Sequence, residues 1–478
     1  MATIIIPTPL RKFTDNKSKI DTNGASVKES IAQLGELHPD LSKHLFKEDG
    51  ELQTFLKIYV GETDIKALEN GDTEVNESDI ISIIPAIAGG TEDAVQFSKE
   101  ELERYSRHLI IPEFNIEGQR KLKAARVLVI GTGGLGAPLL QYLAAAGIGK
   151  IGIVDYDVVE DSNLQRQVLF TQKDIGRPKV DAAKERIQSQ NPHIEVVTYN
   201  TLFTSENALD IAKDYDVIAD GTDNFPTRYL VNDVAVKLKI PNVYASIFRF
   251  EGQLTVFNYL DGKGELGPNY RDLFPTPPPP GLVPSCAEGG VIGVLPGILG
   301  SLQANEVIKV ITGIGDILSG RLFLFDALSF ETRTLKITKD KANPLTGENP
   351  TLTELIDYEH FCGLNVDKSE KRENIKEIDA PTLKDWLENN DVQLIDVREP
   401  FEYEIVNLDA QLIPQAEVLE HVNEISTDVN VVIHCRSGKR SADVIELLQD
   451  KYGFKNLYNL EGGILDWVDK VDQTLPKY

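Results

Sequence analysis

Cysteine is scarce: 478 residues hold only Cys286, Cys362 and Cys435, an odd number, widely spaced. That excludes a disulfide framework, and the thiols are expected to be reduced, in the cytoplasm. Basic residues are also short, with 49 Lys and Arg against 75 Asp and Glu, a formal net charge of −26. Such a balance disfavours a nucleic-acid backbone or an anionic membrane surface as partner. No basic segment followed by an apolar core stands at the start, so no secretory signal is expected. Long apolar runs are missing as well. The most apolar window, residues 291–314, is broken by Pro296, Gln303, Asn305, Glu306 and Lys309, which argues against a spanning helix. The length suits about three domains with cores of their own.

The densest chemistry lies in residues 127–167, VLVIGTGGLGAPLLQYLAAAGIGKIGIVDYDVVEDSNLQRQ. An apolar strand breaks into Gly131, Thr132, Gly133, Gly134, Leu135 and Gly136; an Ala- and Leu-rich helical pattern follows, then a second apolar strand ending at Asp155. This predicts a βαβ unit whose glycine turn brings main-chain N–H groups to a phosphate at a helix N-terminus. Asp155 is placed for ribose hydroxyls. On these residues alone a dinucleotide-binding dehydrogenase is the plain reading. Asp157, Ser162, Asn163, Gln165, Arg166 and Gln167 behind the second strand, and Lys179 after a Gly-Arg-Pro turn, change it. Cations and amides crowded there suit a triphosphate under attack, where charge must be stabilised. Asp220, Gly221, Thr222, Asp223 and Asn224 follow another apolar strand, at the sheet end where Mg²⁺ would sit. Nucleotidyl transfer becomes the better reading.

GTGGLG, DYDVVEDSNLQRQ, the GRPK turn and DGTDNFPTR resemble the MoeB/ThiF adenylyltransferases, relatives of ubiquitin-activating enzymes. The resemblance covers roughly residues 97–330 and implies a Rossmann-like domain that adenylates the C-terminal Gly-Gly carboxylate of a ubiquitin-like sulfur carrier. It further implies that Gly131, Gly133, Gly134, Gly136 and Asp155 hold ATP, with Asp157, Ser162, Asn163, Arg166, Gln167, Lys179 and Asn224 around it. Asp223 would position Mg²⁺. Arg107, in the RYSR stretch, resembles an arginine finger that reaches the ATP of a partner subunit, so a homodimer is expected. Many members of the family bind zinc through two C-x-x-C pairs. Here those positions hold Asn269, Asp272, Asn343 and Thr346, so no zinc site is expected. Cys286 follows a Pro-rich loop and precedes Gly289, Gly290 and Gly293. A free cysteine is most often a small buried residue, but main-chain N–H groups there favour a thiolate. In the family this position forms an acyl intermediate with the carrier.

Residues 1–90 read as a small α+β sheet, with Ser26 capping a helix to about Leu37 and strands near residues 3–6, 55–60 and 79–84. Their tail, IPAIAGG, resembles the β-grasp carriers of the MoaD/ThiS type. Small residues ending in Gly-Gly can thread a narrow channel to an α-phosphate. Gly90 is followed by Thr91, so its carboxylate is bound in an amide. Cleavage after Gly90 in the acidic linker is expected; the other option is that separate carriers are the substrates.

Residues 375–478 alternate strand and helix again. An apolar strand runs into His434, then Cys435, Arg436, Ser437, Gly438, Lys439 and Arg440, with Ser441 opening a helix. A thiol in a tight loop before a helix, among three cations, is a nucleophile rather than core filling. The loop is one residue shorter than a cysteine phosphatase's phosphate cradle. LIDVRE with Asp396 and Arg398, CRSGKR, and LEGG resemble rhodanese sulfurtransferases.

The sequence thus predicts an α/β multidomain chain: a β-grasp carrier (1–90), a Rossmann-like adenylyltransferase (97–340), a linker (341–374) holding Cys362, to which no role is assigned, and a rhodanese-like domain (375–478). The resemblance implies ATP-dependent thiocarboxylation of a carrier, with sulfur from a Cys435 persulfide loaded by a donor such as a cysteine desulfurase. Molybdopterin synthesis is the first expected outlet. Thiamine thiazole, cysteine, or ubiquitin-like conjugation remain open alternatives, as does a non-enzymatic scaffold.

Overall fold

Three sheets organise the computed structural model, which describes all residues other than 1, 8–9, 11–12, 15–16, 48–51, 53–55, 62, 86–95, 262–263, 280–288, 364–374 and 390–391. The first contains β1 (Ala2–Ile5), β2 (Lys19–Thr22), β3 (Leu56–Val60), β4 (Thr63–Asp64) and β5 (Ile80–Pro85), in the order β2-β1-β5-β3-β4. β1 and β5 pair in parallel, and the other neighbours are antiparallel. The helix Val27–Leu37 starts at Ser26, whose hydroxyl accepts from the Glu29 N–H at 3.3 Å, a cap worth about 1 kcal/mol. Val27, Ile31 and Leu34 recur at helical spacing and are buried in one core with Ile4, Ile58 and Ile81. This is the expected β-grasp. Gly89 and Gly90, beyond β5, lie outside the described residues.

The second sheet contains β6 (Arg126–Ile130), β7 (Lys150–Val154), β8 (Glu195–Tyr199), β9 (Val217–Asp220), β10 (Asn242–Phe248), β11 (Glu251–Phe257), β12 (Arg321–Asp326) and β13 (Glu331–Lys336). Its order is β13-β12-β11-β10-β9-β6-β7-β8. β6 to β10 are parallel, and β10 to β13 antiparallel. Side chains alternate across β6. Val127 and Val129 belong to a core with Leu139, Leu140, Ala304 and Val307, while Leu128 and Ile130 belong to one with Tyr229, Leu230 and Tyr270. The helix Val294–Thr312 is long and apolar enough to cross a membrane by length and composition. Here it is a core helix: Leu295, Leu299, Ala304 and Val307 are buried, and Gln303 Nε2 donates to the carbonyls of Asp220 and Val243 at 2.7 and 2.8 Å.

The stretch read as a linker from residue 341 is not free chain up to residue 363. Asn343, Tyr358 and Cys362 are buried, and the Tyr358 hydroxyl donates to Asp233 Oδ2 at 2.7 Å. Asp233 also holds Arg271 (2.9 and 2.8 Å), both groups being only 1% exposed. Leu355, Ile356 and Phe361 pack on the same core, and the Pro- and Asn-rich composition hid this docking.

The third sheet is wholly parallel: β14 (Lys376–Ile378), β15 (Val392–Asp396), β16 (Gln411–Leu412), β17 (Asn430–His434) and β18 (Leu457–Leu460), in the order β14-β18-β17-β15-β16.

Candidate active site

β6 pairs with β7 on one side and β9 on the other, and chain direction around the sheet switches there. At such a point the loops leaving the strands diverge and a crevice opens. A cavity of about 250 Å³ lies there, walled by Ile130, Val154 and Gly221 at the ends of those three strands. Gly131 makes the turn at φ 88°, which only glycine adopts without strain. A Cβ on Gly136 would lie 2.0 Å from the Gly131 carbonyl oxygen. Gly131, Gly133 and Gly134 line the cavity, whereas Gly136 lies outside the lining and packs beneath the turn.

Asp155 is bound into the protein's own turn. Its Oδ2 accepts from the Thr132 N–H and hydroxyl at 2.8 and 2.7 Å, and its Oδ1 from the Asp157 N–H at 3.0 Å. It clamps the glycine turn to β7. Asp157, Asn163, Arg166, Gln167 and Lys179 are all on the wall. Lys179 is buried and donates to Asp157 Oδ2 at 2.9 Å. Ser162 is exposed and off the wall; its carbonyl takes Arg166 Nη1 at 3.2 Å. Asp223 and Asn224 stand at the mouth. Asn224 Oδ1 accepts from the Thr227 N–H at 3.0 Å, which starts the helix Phe225–Leu238 with its N-terminus at the cavity, a position that favours anions.

Sequence reasoning missed Arg228. It lines the cavity while only 8% exposed, and its Nη2 donates to the Thr222 carbonyl at 3.1 Å. Its Nε, Asp220 Oδ2 and Gln167 Oε1 have no hydrogen-bond partner among the described residues. Burial opposes its charge, but Tyr244, Tyr270, Asp220 and Asp223 hold it firmly cationic. Burial also pushes the Asp220 carboxyl up, against Arg228 and Thr222. The four-residue step from the capping Asn224 was the available signal, since it places Arg228 one turn into the helix. Phe203, Ile247 and Val291, also unforeseen, complete the apolar side.

These donors fit a nucleoside triphosphate: glycine-turn N–H groups, a helix N-terminus and three cations for phosphate, carboxylates for ribose hydroxyls, apolar surface for a base. Among the described residues no group of three or more His, Cys, Asp or Glu is arranged to hold a metal. One carboxylate, Asp223, beside phosphate oxygens is a donor set that suits Mg²⁺. Arg107 is exposed on Ser106–Leu109 and does not line this chain's own cavity.

In the third sheet unit, Cys435 follows β17 and is 1% exposed. Its Sγ accepts from the Gly438 N–H at 3.2 Å; the Ser441 hydroxyl lies 3.4 Å from Sγ and gives its one proton to Asn459 Oδ1 at 2.7 Å. Ser441 does not open the helix, which runs Lys439–Tyr452 with Gly438 at its cap in the left-handed conformation. The loop cations do not converge on sulfur as expected. Arg440 is paired with Glu402 at 2.7 Å, and Arg436 donates to the main-chain oxygen of Tyr478. Glu402 is held below the usual glutamate range: burial alone would raise it, but the Arg440 and Glu399 hydrogen bonds outweigh that. The LEGG signature acquires a reason. A Cβ on Gly463 would lie 2.6 Å from the Cys435 and Arg436 carbonyl oxygens, and the N–H groups of Ile464 and Leu465 hold those two carbonyls at 3.0 and 3.2 Å. Asp396 and Arg398 form a fully buried pair at 2.6 Å.

Cys286 lies outside the described residues. Burial pushes the Cys362 thiol up to about 11, the behaviour of an inert core cysteine. Asn269, Asp272, Asn343 and Thr346 do meet, as a hydrogen-bonded cluster. Asn343 Nδ2 donates to Asp272 Oδ1 (2.7 Å) and Asn269 Oδ1 (3.2 Å), and Asn269 Nδ2 to the Thr346 hydroxyl (2.9 Å).

Residues 105–346 match the ThiF family. The chain belongs to the ThiF family. Residues 379–470 match the Rhodanese-like domain and residues 4–90 the ThiS family. The probable adenylyltransferase/sulfurtransferase MoeZ of Mycobacterium tuberculosis (strain ATCC 25618 / H37Rv) is 49% identical over 391 residues, 81% of this chain and 98% of that protein. The sulfur carrier protein adenylyltransferase of Thermus thermophilus is 54% identical over 270 residues, 56% of this chain and 100% of that protein. The adenylyltransferase and sulfurtransferase MOCS3 of Drosophila ananassae is 39% identical over 428 residues, 86% of this chain and 94% of that protein. The chain is an ATP-using adenylyltransferase of the ThiF family that also carries a sulfurtransferase domain.

Proposed function

We propose that this chain adenylates the Gly-Gly carboxylate of a ubiquitin-like sulfur carrier and converts it to a thiocarboxylate with sulfur carried on Cys435, for molybdopterin synthesis. The observation that carries the reading is the pairing, in one chain, of a cavity lined by Arg166, Lys179 and Arg228, the last with an unpaired Nε, and a buried thiol met by the Gly438 N–H. Lys179, Arg166, Arg228 and the glycine turn bind the triphosphate and stabilise charge as the carboxylate oxygen attacks the α-phosphorus and pyrophosphate leaves. Mg²⁺, held by Asp223, would neutralise phosphate charge when bound. Arg107 from a second copy completes the site. A persulfide on Cys435, loaded by a donor such as a cysteine desulfurase, attacks the acyl carbon and releases AMP. Cys286 either accepts the acyl group first or attacks the acyl disulfide, leaving a Cys286–Cys435 disulfide for an external thiol to reduce. The carrier needs a free carboxylate, supplied by cleavage after Gly90 or by a separate protein.

ATP–pyrophosphate exchange tests this. Exchange is expected only when a carrier with a free Gly-Gly terminus is present. Arg107→Ala and Asp223→Ala are each expected to be inactive, and their mixture to recover part of the activity. A mixture as inactive as its components contradicts the shared site, and exchange without any carrier contradicts the substrate.

A further inference from the structure

Tyr478 belongs to none of the motifs, yet it bonds Arg398, Glu402 and the loop's Arg436. We propose that Tyr478 is a positioning residue for sulfur transfer at Cys435, an inference that rests on Cys435 being the sulfur-bearing thiol. Its hydroxyl accepts from Arg398 Nη1 at 2.6 Å and donates to Glu402 Oε1 at 3.1 Å. A guanidinium only donates and a carboxylate only accepts, so the phenol's proton has one direction. Burial pushes the phenol up from its ordinary value, which keeps that proton in place. Glu402 in turn takes Arg440 Nη1 and Nη2, both at 2.7 Å. The main-chain oxygen of Tyr478 takes Arg436 Nε and Nη2 at 2.9 and 2.6 Å. Its ring lies 5.4 Å from the Arg436 guanidinium carbon and 5.7 Å from that of Arg398.

One residue therefore ties both arginines of the Cys435 loop to the fully buried Asp396–Arg398 pair. Arg436 and Arg440 bracket Gly438, whose N–H points at Sγ. Fixing both sides of the loop fixes where its N–H groups point. With thiosulfate as donor, the Cys435 thiolate attacks the outer sulfur and the S–S bond of thiosulfate breaks. Sulfite leaves with the electron pair, and Cys435 carries Sγ–S⁻. Cyanide then takes the outer sulfur as thiocyanate and returns the thiolate. The negative charge moves one bond outward and back in each cycle. A loop held rigid meets it without reorganising.

The experiment uses the full chain with thiosulfate and cyanide. Tyr478→Phe keeps the ring and the main-chain oxygen and loses the hydroxyl. Its kcat is expected to fall about tenfold, the equivalent of one charge-assisted hydrogen bond, with KM for thiosulfate within about twofold. Tyr478→Ala is expected to fall about a hundredfold, since the ring contacts go as well. Both should keep normal ATP–pyrophosphate exchange, made at a different site. Wild-type kcat in Tyr478→Phe overturns the proposal, and so does a loss confined to KM. If Tyr478→Ala does not fold, Tyr478→Phe and Glu402→Gln decide, the latter expected to lower kcat in the same way. Cys435→Ala separates the two readings: if it retains thiosulfate turnover, the assignment of Cys435 fails.

Discussion

On the cavity wall, Arg228 Nε and Gln167 Oε1 have no partner among the described residues, whereas in the Cys435 loop Arg436, Arg440 and Ser441 are all bound to protein groups. In the proposed function the cavity receives a highly charged ligand from water, and the loop carries charge on sulfur. Leaving a buried donor such as Arg228 Nε unpaired is costly, and in the proposed function a triphosphate oxygen offsets that cost on arrival. The Gly438 N–H meets the sulfur, and Arg436 and Arg440 serve as braces. The same residue type, arginine, keeps a free donor in one region and is bound scaffolding in the other.

The comparison can be broken most directly at Cys435. Cys435→Ala should lower sulfur transfer by at least on the order of 10³-fold while leaving ATP–pyrophosphate exchange intact. Loss of both would mean that the two regions are not separable. Next comes Arg228. Removing one preorganised donor of transition-state charge costs roughly 10²–10³-fold, so Arg228→Ala should slow exchange by about that factor, and Arg228→Lys by less. Unchanged exchange would make Arg228 a brace as well.

Smaller effects sharpen the scaffold side. Glu402→Gln removes the charge that pairs Arg440. Because the Arg440 side chain is 32% exposed, the cost is discounted to about 1–2 kcal/mol, read as a lower melting temperature of the sulfurtransferase domain. The pH dependence follows from the depressed Glu402 pKa. Its stabilisation is complete above the ordinary value of 4.5 and is lost as pH falls through the lower folded value. The wild-type chain should lose stability below that point more steeply than Glu402→Gln; parallel acid profiles would refute the pairing. Smallest is Asn343→Ala, which opens the Asn269–Asp272 cluster at about 1 kcal/mol, with metal analysis expected to find no stoichiometric zinc in either protein.

Motifs whose chemistry is local were legible. GTGGLG announced its turn because φ at Gly131 and the close approach of Gly136 are properties of neighbouring residues. Ser26 announced a helix start for the same reason. What stayed hidden depends on distant chain. Ile247 and Val291 reach the cavity from other strands and loops, and Tyr478 meets Arg436 across 42 residues. CRSGKR showed three cations beside a thiol, but sequence cannot say what they face; Glu402 and Tyr478 decided that for Arg440 and Arg436. Residues 343–362 looked like linker because their composition is polar, and the buried Asp233–Arg271 pair that receives Tyr358 lies elsewhere in the chain.

The central claim is that the cavity and the loop act in sequence on one carboxylate. The direct test supplies residues 1–90 as a separate polypeptide ending at Gly90 to the full chain, with ATP, Mg²⁺, thiosulfate and a thiol reductant, and follows its intact mass. The account predicts that one terminal oxygen is replaced by sulfur, only with ATP present and only with Cys435 intact. Equal conversion by Cys435→Ala, or sulfur incorporation without ATP, would contradict it.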